Sequence, residues 1–157
     1  VGFAARAMAM VETAQIRELT VADKDDVLEL LGQLWPDKSI DPATAEGVIE
    51  RYVKDPGYWI YGHEVEGALR GLVTASFRWT LFHDGQVATI EDLVVDEAHR
   101  GQGVGTALVR FVEDRIVKER KASAVEVNSD LDRDAAHEFW TGCDYTRLAF
   151  QFRKTIP

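Results

Sequence analysis

Two adjacent carboxylates, Glu91 and Asp92, sit inside an otherwise apolar run with Ile90, Leu93, Val94 and Val95. Shortly downstream comes Arg100-Gly101-Gln102-Gly103-Val104-Gly105, followed by Thr106 and a clean helical period. The second group is suited to an anion. Three near-consecutive glycines let the backbone approach a ligand closely, and a helix opening there offers orphan N–H donors and a positive dipole end. The candidate donors are the N–H groups of Gln102, Gly103, Val104, Gly105 and Thr106, with the Thr106 hydroxyl beside them. Gly101 and Gly103 give the close approach, and Arg100 either contacts phosphate or braces the loop. A P-loop is excluded because G-x-x-x-x-G-K-[S/T] is absent, and a dinucleotide fingerprint from Gly101 would need glycine at position 106, which is Thr106.

The first group is suited to proton transfer. In a regular strand Glu91 shares a face with Leu93 and Val95, where desolvation raises a carboxyl pKa toward the range of a useful base. Asp92 then points to the opposite face, unless a bulge alters the alternation. The other reading of Glu91 is an ion pair with a cross-strand cation such as Arg78.

The elements that must hold these groups follow in order. Ala14, Ile16 and Leu19 alternate in part, so 12–19 reads as a first strand. Thr20 and Asp23 have the spacing of a helix cap, and Val27, Leu28, Leu30, Leu31 and Leu34 form an apolar stripe that Pro36 stops. Asp41-Pro42 opens a second helix with Val48, Ile49, Tyr52 and Val53 inward. Strands are expected over 58–64 and 69–81, with turns at Glu66-Gly67 and His83-Asp84-Gly85 and a central strand over 87–95. The helix from Val104 turns Leu108, Phe111, Val112 and Ile116 to one side. A short strand at 124–127, a last helix capped by Asp130 or Asp132, and a closing strand over 145–153 complete the chain. The order is β-α-α-β-β-β-α-β-α-β, an α+β fold with a mixed, mostly antiparallel sheet flanked by helices. Residues 12–154 read as a single domain and 1–11 as an N-terminal extension, whose apolar core is too short for a signal peptide.

A chain of 157 residues can bury one substantial core. No apolar run reaches the ~18 residues of a membrane span, and a net charge of −9 argues against nucleic-acid binding while favouring a cationic partner. The single cysteine, Cys143, leaves no intramolecular disulfide and fits a reducing cytoplasm. No metal-ligand spacing stands out.

The stretch from Val95 through Arg100-x-x-Gly103-x-Gly105 resembles the acyl-CoA-binding motif of the GNAT superfamily of N-acetyltransferases, [Q/R]-x-x-G-x-[G/A]. The element order is similar as well, so the likeness runs from about residue 12 to 154. The resemblance implies acetyl-CoA as co-substrate, with its pyrophosphate on the glycine loop and its pantetheine arm between the central strand and a splayed neighbour. It points to main-chain groups of Leu93, Val94 and Val95 for the pantetheine and the carbonyl oxygen. It also implies a carboxylate base at the position of Glu91.

The last helix departs from the family pattern. Ala136-His137-Glu138-Phe139-Trp140 carries Trp140 where the family commonly has the Tyr that protonates the thiolate, and Asp144 stands where glycine is usual. An indole N–H is no general acid at neutral pH, so Tyr145, His137 or Cys143 supplies the proton, or the thiolate leaves unassisted. Acceptor contacts are expected from the connection between the first two helices (Trp35, Asp37, Lys38), from the strand and turn around Trp79, Phe82 and His83, and from Glu91 or Asp92. The leading expectation is a transferase moving acetyl to a primary amine of a small molecule in a ternary complex. A protein or peptide N-acetyltransferase and a non-catalytic acyl-CoA-binding module are the alternatives. A homodimer, frequent in the family, is a further expectation.

Overall fold

Strand β1 (Ala14–Glu18) lies antiparallel to β2 (Tyr58–Val65), which pairs with β3 (Ala68–Thr80), and that with β4 (Gly85–Val95). The short β5 (Ala124–Val127) completes a five-stranded sheet in the order β1-β2-β3-β4-β5. This computed structural model describes residues 14–156; the N-terminal extension and the first two residues of the expected opening strand lie outside them. The described residues form two compact units, one ending at Glu126 and one beginning at Val127.

In the first unit the hairpin turns fall where the sequence places them. Glu66 and Gly67 both adopt positive φ, 52° and 78°, as a two-residue β2–β3 turn requires. Thr20 and Asp23 form the expected capping box, which opens a 3₁₀ turn at Val21–Asp23. The turn continues into helix α1 (Lys24–Leu34), and Arg17 ties its start to β2 through Asp23 and Glu64. Helix α2 (Pro42–Lys54) has Pro42 in its first turn, and the Asp41 carboxylate accepts the Thr44 N–H at 2.8 Å. These two helices cover one sheet face, joining Val27, Leu30 and Ile49 to Ile60, Leu72 and Val94 in a common core.

The opposite face receives helix α3 (Val104–Arg115), through Leu108, Val109 and Val112, each at most 1% exposed. Its approach is close. A Cβ added at Gly71 of β3 would stand 2.9 Å from both Leu108 Cδ1 and Val104 Cγ1, and 3.2 Å from the Val94 carbonyl oxygen. The helix ends in a π turn over Ile116–Arg120 that the periodicity does not foretell. Arg120 lies over the Phe77 ring at 4.2 Å.

In the second unit α4 (Asp134–Gly142) starts without a side-chain cap, so neither Asp130 nor Asp132 performs the expected capping. Its C-terminus is well satisfied: Asp144 N–H reaches the Thr141 carbonyl at 3.1 Å and Tyr145 N–H the Trp140 carbonyl at 3.0 Å. This is the Schellman pattern, with the left-handed position held by Asp144 at φ 68° and the Trp140 and Tyr145 rings 5.1 Å apart. The expected closing strand over 145–153 is not formed. Leu148, Phe150 and Phe152 are exposed and the segment carries no regular structure, since alternating apolar residues make a strand only when they pair with a neighbour. Among the described residues no helix is long and apolar enough to cross a membrane.

Two stability changes are expected. Gly71→Ala should destabilise the fold by about 1–3 kcal/mol, since Val104 is stiff and cannot give way; an unchanged denaturation midpoint would show that α3 has room to lift. Asp144→Gly should stabilise by about 1 kcal/mol by relieving left-handed strain at the C-cap, read as a higher Tm in the full chain.

Candidate active site

The pairing of β3 with β4 slips by one residue. Thr74 faces Asp92 and Ala75 faces Ile90, which leaves Glu91 as the extra residue of a bulge. The slip changes every later side chain. Leu93 and Val95 pair with Val73 and Gly71 on the α3 face, while Asp92 and Val94 pair with Thr74 and Leu72 on the α1–α2 face. Glu91 therefore does not share the face of Leu93 and Val95. It is exposed and accepts a hydrogen bond from Ser76, two residues along β3 from Thr74, so the two carboxylates stand side by side on one face. Arg78 is not its partner, being paired with Glu126.

The desolvation expected for Glu91 falls on Asp92. Its side chain is partly buried, and burial raises its pKa, with the neighbouring Glu91 charge adding to the effect and the Lys38 charge opposing it. Thr74 Oγ1 donates to Asp92 Oδ2 at 2.7 Å and accepts the Asp92 N–H at 3.0 Å. The Thr74 hydroxyl also acts on the Tyr52 phenol, opposing part of the rise that burial causes there. Burial pushes Tyr52 up to about 12, so it remains a proton-bearing donor at neutral pH.

Asp92, Thr74 and Tyr52 line a cavity of about 440 Å³ between α1, α2 and the sheet, a size suited to a small molecule. Trp35 and Lys38 from the α1–α2 connection line it too, with the Lys38 ammonium 4.9 Å from the Trp35 ring centre. Of the acceptor residues expected from sequence, Trp35, Lys38 and Asp92 meet here. His83 does not: it lies at the β3–β4 hairpin beside Glu126, with Nε2 3.6 Å from Oε1, some six strand positions or roughly 20 Å from Thr74. Trp79 and Phe82 are likewise exposed and outside the cavity. Sequence reading placed Tyr52 only as a helix core residue and passed over Thr74. Tyr52 has one usable signal, a hydroxyl on the inner face of an otherwise aliphatic helix.

The glycine loop has the local geometry that its composition implies. Gly101 and Gly103 take φ 73° and 86°, and an added Cβ at either would meet nothing of the chain within 4 Å, so the strain rather than crowding demands glycine. Gly103 is the N-cap of α3, and Ala107 N–H makes the first helical bond to its carbonyl at 2.9 Å. The N–H groups of Val104, Gly105 and Thr106 thus belong to the turn that has no carbonyl ahead of it. Arg100 braces the loop, its Nε donating to the Val95 carbonyl at 3.1 Å. Strand β5 begins beside Gln86, where Ser123 N–H donates to the Gln86 carbonyl at 3.0 Å, and it is four residues long. It cannot extend alongside Leu93, Val94 and Val95, seven or more positions further along β4, so the outer edge of β4 is uncovered by β5 there.

In the second unit His137 is engaged on both ring nitrogens, Nε2 with the Asp130 carbonyl at 2.9 Å and Nδ1 with Arg147 at 3.2 Å. Accepting from Arg147 fixes Nδ1 as the unprotonated nitrogen, which makes His137 a structural link. Tyr145 is anchored by its own N–H at the end of α4.

Residues 24–145 match the model of the Acetyltransferase (GNAT) family. The chain belongs to that family. It is 24% identical to an aminoalkylphosphonate N-acetyltransferase of Salmonella typhimurium, over 94% of each chain. It is 34% identical to a glucosamine 6-phosphate N-acetyltransferase of Arabidopsis thaliana, over 67% of this chain and 74% of that one. Among solved structures, a transcriptional regulator from Bacillus halodurans superposes with a TM-score of 0.82 at 21% identity, covering 91% of this chain and 99% of that one; this likeness speaks to the fold. The chain is accordingly an acetyl-CoA-dependent acetyltransferase, and the glycine loop with the first turn of α3 fits the anionic end of that co-substrate.

Removing the Thr74 hydroxyl tests the electrostatics of the site. It stabilises the Asp92 carboxylate, so Thr74→Val should move the Asp92 pKa further upward, measured by carbon NMR titration of its carboxyl. An unchanged or lower value would mean that Thr74 does not support the charge.

Proposed function

We propose that this chain is an N-acetyltransferase that moves acetyl from acetyl-CoA to the primary amine of a small molecule, by direct attack in a ternary complex. The observation that carries the reading is the partly buried, hydrogen-bonded Asp92 at the wall of a cavity of about 440 Å³ on the α1–α2 face. A cavity of this size favours a small acceptor over a peptide chain. Two relatives act, by name, on small amines, an aminoalkylphosphonate and glucosamine 6-phosphate. The domain that does this work is taken as 12–154, which contains the family match over 24–145.

In this mechanism the backbone N–H groups of Gln102 to Thr106 hold the pyrophosphate, with Gly101 allowing close approach and Arg100 keeping the loop against β4. Main-chain groups of Leu93, Val94 and Val95, on the edge that β5 leaves uncovered, align the pantetheine and polarise the thioester carbonyl. Asp92 serves as the base, a role that suits a carboxylate whose pKa burial has raised. Glu91 beside it adds negative charge that draws an ammonium to the face, and Trp35 offers a ring to the alkyl portion. The amine nitrogen bonds to the carbonyl carbon as the carbon–sulfur bond breaks. The ammonium gives up two protons by way of Asp92 and solvent, and the Tyr145 hydroxyl protonates the departing sulfur, since Trp140 has no acidic proton to give; one of the two protons then restores the Tyr145 hydroxyl from solvent and the other is the net proton released.

Acetyl-CoA at about 100 times its Kd should raise stability by about 2.7 kcal/mol; a melting curve unmoved by acetyl-CoA at millimolar concentration would remove the co-substrate from the reading. Asp92→Asn should lower kcat in a thiol-release assay by about 10²–10⁴-fold with little change in acetyl-CoA affinity, whereas Glu91→Gln should cost less. The reverse ranking would return the base to Glu91. Because the folded state raises the Asp92 pKa, its ionised form burdens the fold above the unfolded pKa. The same Asp92→Asn protein should therefore melt higher at pH 8, with the difference shrinking on acidification.

A further inference from the structure

The cavity is chemically two-ended, and we infer that its acceptors are amines that also carry an oxyanionic group, a phosphonate, phosphate or carboxylate, which Lys38 holds while the amine lies at Asp92. This deepens the proposed function and rests on it only for the place of the amine.

One end is the sheet, where Asp92 and Thr74 line the cavity floor. The other is the α1–α2 connection, where Lys38 and Ser39 line it, an ammonium and a hydroxyl in adjacent positions. The Lys38 main chain is fixed, its N–H donating to the Trp35 carbonyl at 3.0 Å, and its ammonium rests against the Trp35 ring. Lys38 forms no salt bridge among the described residues, although Arg17, Lys24, Lys54, Arg70, Arg78 and Arg115 each do. The other carboxylate on this wall, Asp41, is occupied in capping α2, accepting both the N–H and the hydroxyl of Thr44. An exposed positive charge in no salt bridge at the lip of a small cavity is a site for an anion. Lys38 and Asp92 line the same cavity of about 440 Å³, so one ligand can reach both, and the volume limits that ligand to a short spacer between amine and anion.

The test compares three probe amines of similar length, 2-aminoethylphosphonate, β-alanine and propylamine, with the wild-type protein and its Lys38→Gln and Lys38→Arg variants. Thiol release from acetyl-CoA gives kcat and KM, and calorimetry in the presence of CoA gives amine affinity without turnover. The expected result is that one or both anionic amines exceed propylamine in kcat/KM by about tenfold or more, the scale of one charge-assisted hydrogen bond. Lys38→Gln should erase that advantage mainly through the KM of the anionic amines, lowering kcat/KM for them far more than for propylamine, and Lys38→Arg should keep most of it. Preference for the phosphonate alone, or for both anions, distinguishes the two oxyanion sources. Equal loss for charged and neutral amines in Lys38→Gln overturns the inference, as does absence of saturable binding of either anionic amine to the wild-type protein. Turnover of propylamine beside such absence would leave acetyl transfer standing. Lys38-dependent binding of an anionic amine with no thiol release from any amine would do the opposite, keeping the two-ended cavity and removing the proposed reaction.

Discussion

One extra residue in β4 sets the geometry of both halves of the site. A strand alternates its faces with a period of two, so a single inserted residue exchanges the faces of everything beyond it. Without the bulge at Glu91, Leu93 and Val95 would compete with Asp92 for the wrong layers, and a carboxylate would be forced beneath α3. With it, Val94 joins Leu72 in the α1–α2 core, Leu93 and Val95 lie with Val73 and Gly71 under α3, and Asp92 lines the cavity while Glu91 stands exposed on the same face. The bulge is itself anchored by polar side chains of β3. Thr74 bonds both the main chain and the carboxylate of Asp92, and Ser76 bonds Glu91. The same two hydroxyls that define the bulge thus also define the electrostatics of the floor.

Stability and chemistry pull in opposite directions at this floor. Burying Asp92 raises its pKa because water, which solvates a carboxylate best, is partly removed. Thr74 offsets part of that cost with one donated hydrogen bond. Close packing elsewhere compensates. Gly71 lets α3 settle onto the sheet at a distance no other residue permits, and Val109 and Val112 are at most 1% exposed beneath it.

How much of this could be read from the sequence divides along a physical line. The glycine loop was legible because left-handed φ values at Gly101 and Gly103 demand a residue type that composition displays directly. The helices and hairpins were legible for the same kind of reason: Thr20 with Asp23, Asp41-Pro42 and Glu66-Gly67 are local chemistry with local consequences. The face of Glu91 was not, because a bulge is decided by the register with another strand, and that register depends on Thr74 and Ser76, fifteen or more residues away. The strand over 145–153 was over-read from its alternating apolar residues, since alternation reports what a strand would bury and not whether an edge is present to receive it.

The two ends of the reaction are therefore encoded in different ways. In the proposed reaction the co-substrate end is recognised by backbone groups, which any sequence with the right glycines supplies, and it says little about what is acetylated. The acceptor end is built from side chains of four separate segments: Trp35 and Lys38 in a connection, Tyr52 on a helix, Thr74 on one strand and Asp92 on the next. Each of these has an ordinary structural use by itself, as a loop aromatic, a surface cation, a core ring or a strand hydroxyl. Only their convergence on one cavity gives them chemical meaning, and convergence is a property of the β3–β4 register and of the helix pair packed above it. Changing the acceptor would need no change in the glycine loop. It would need substitution at a few positions around the cavity, above all in the α1–α2 connection, which lies outside the sheet and whose side chains carry little of the core.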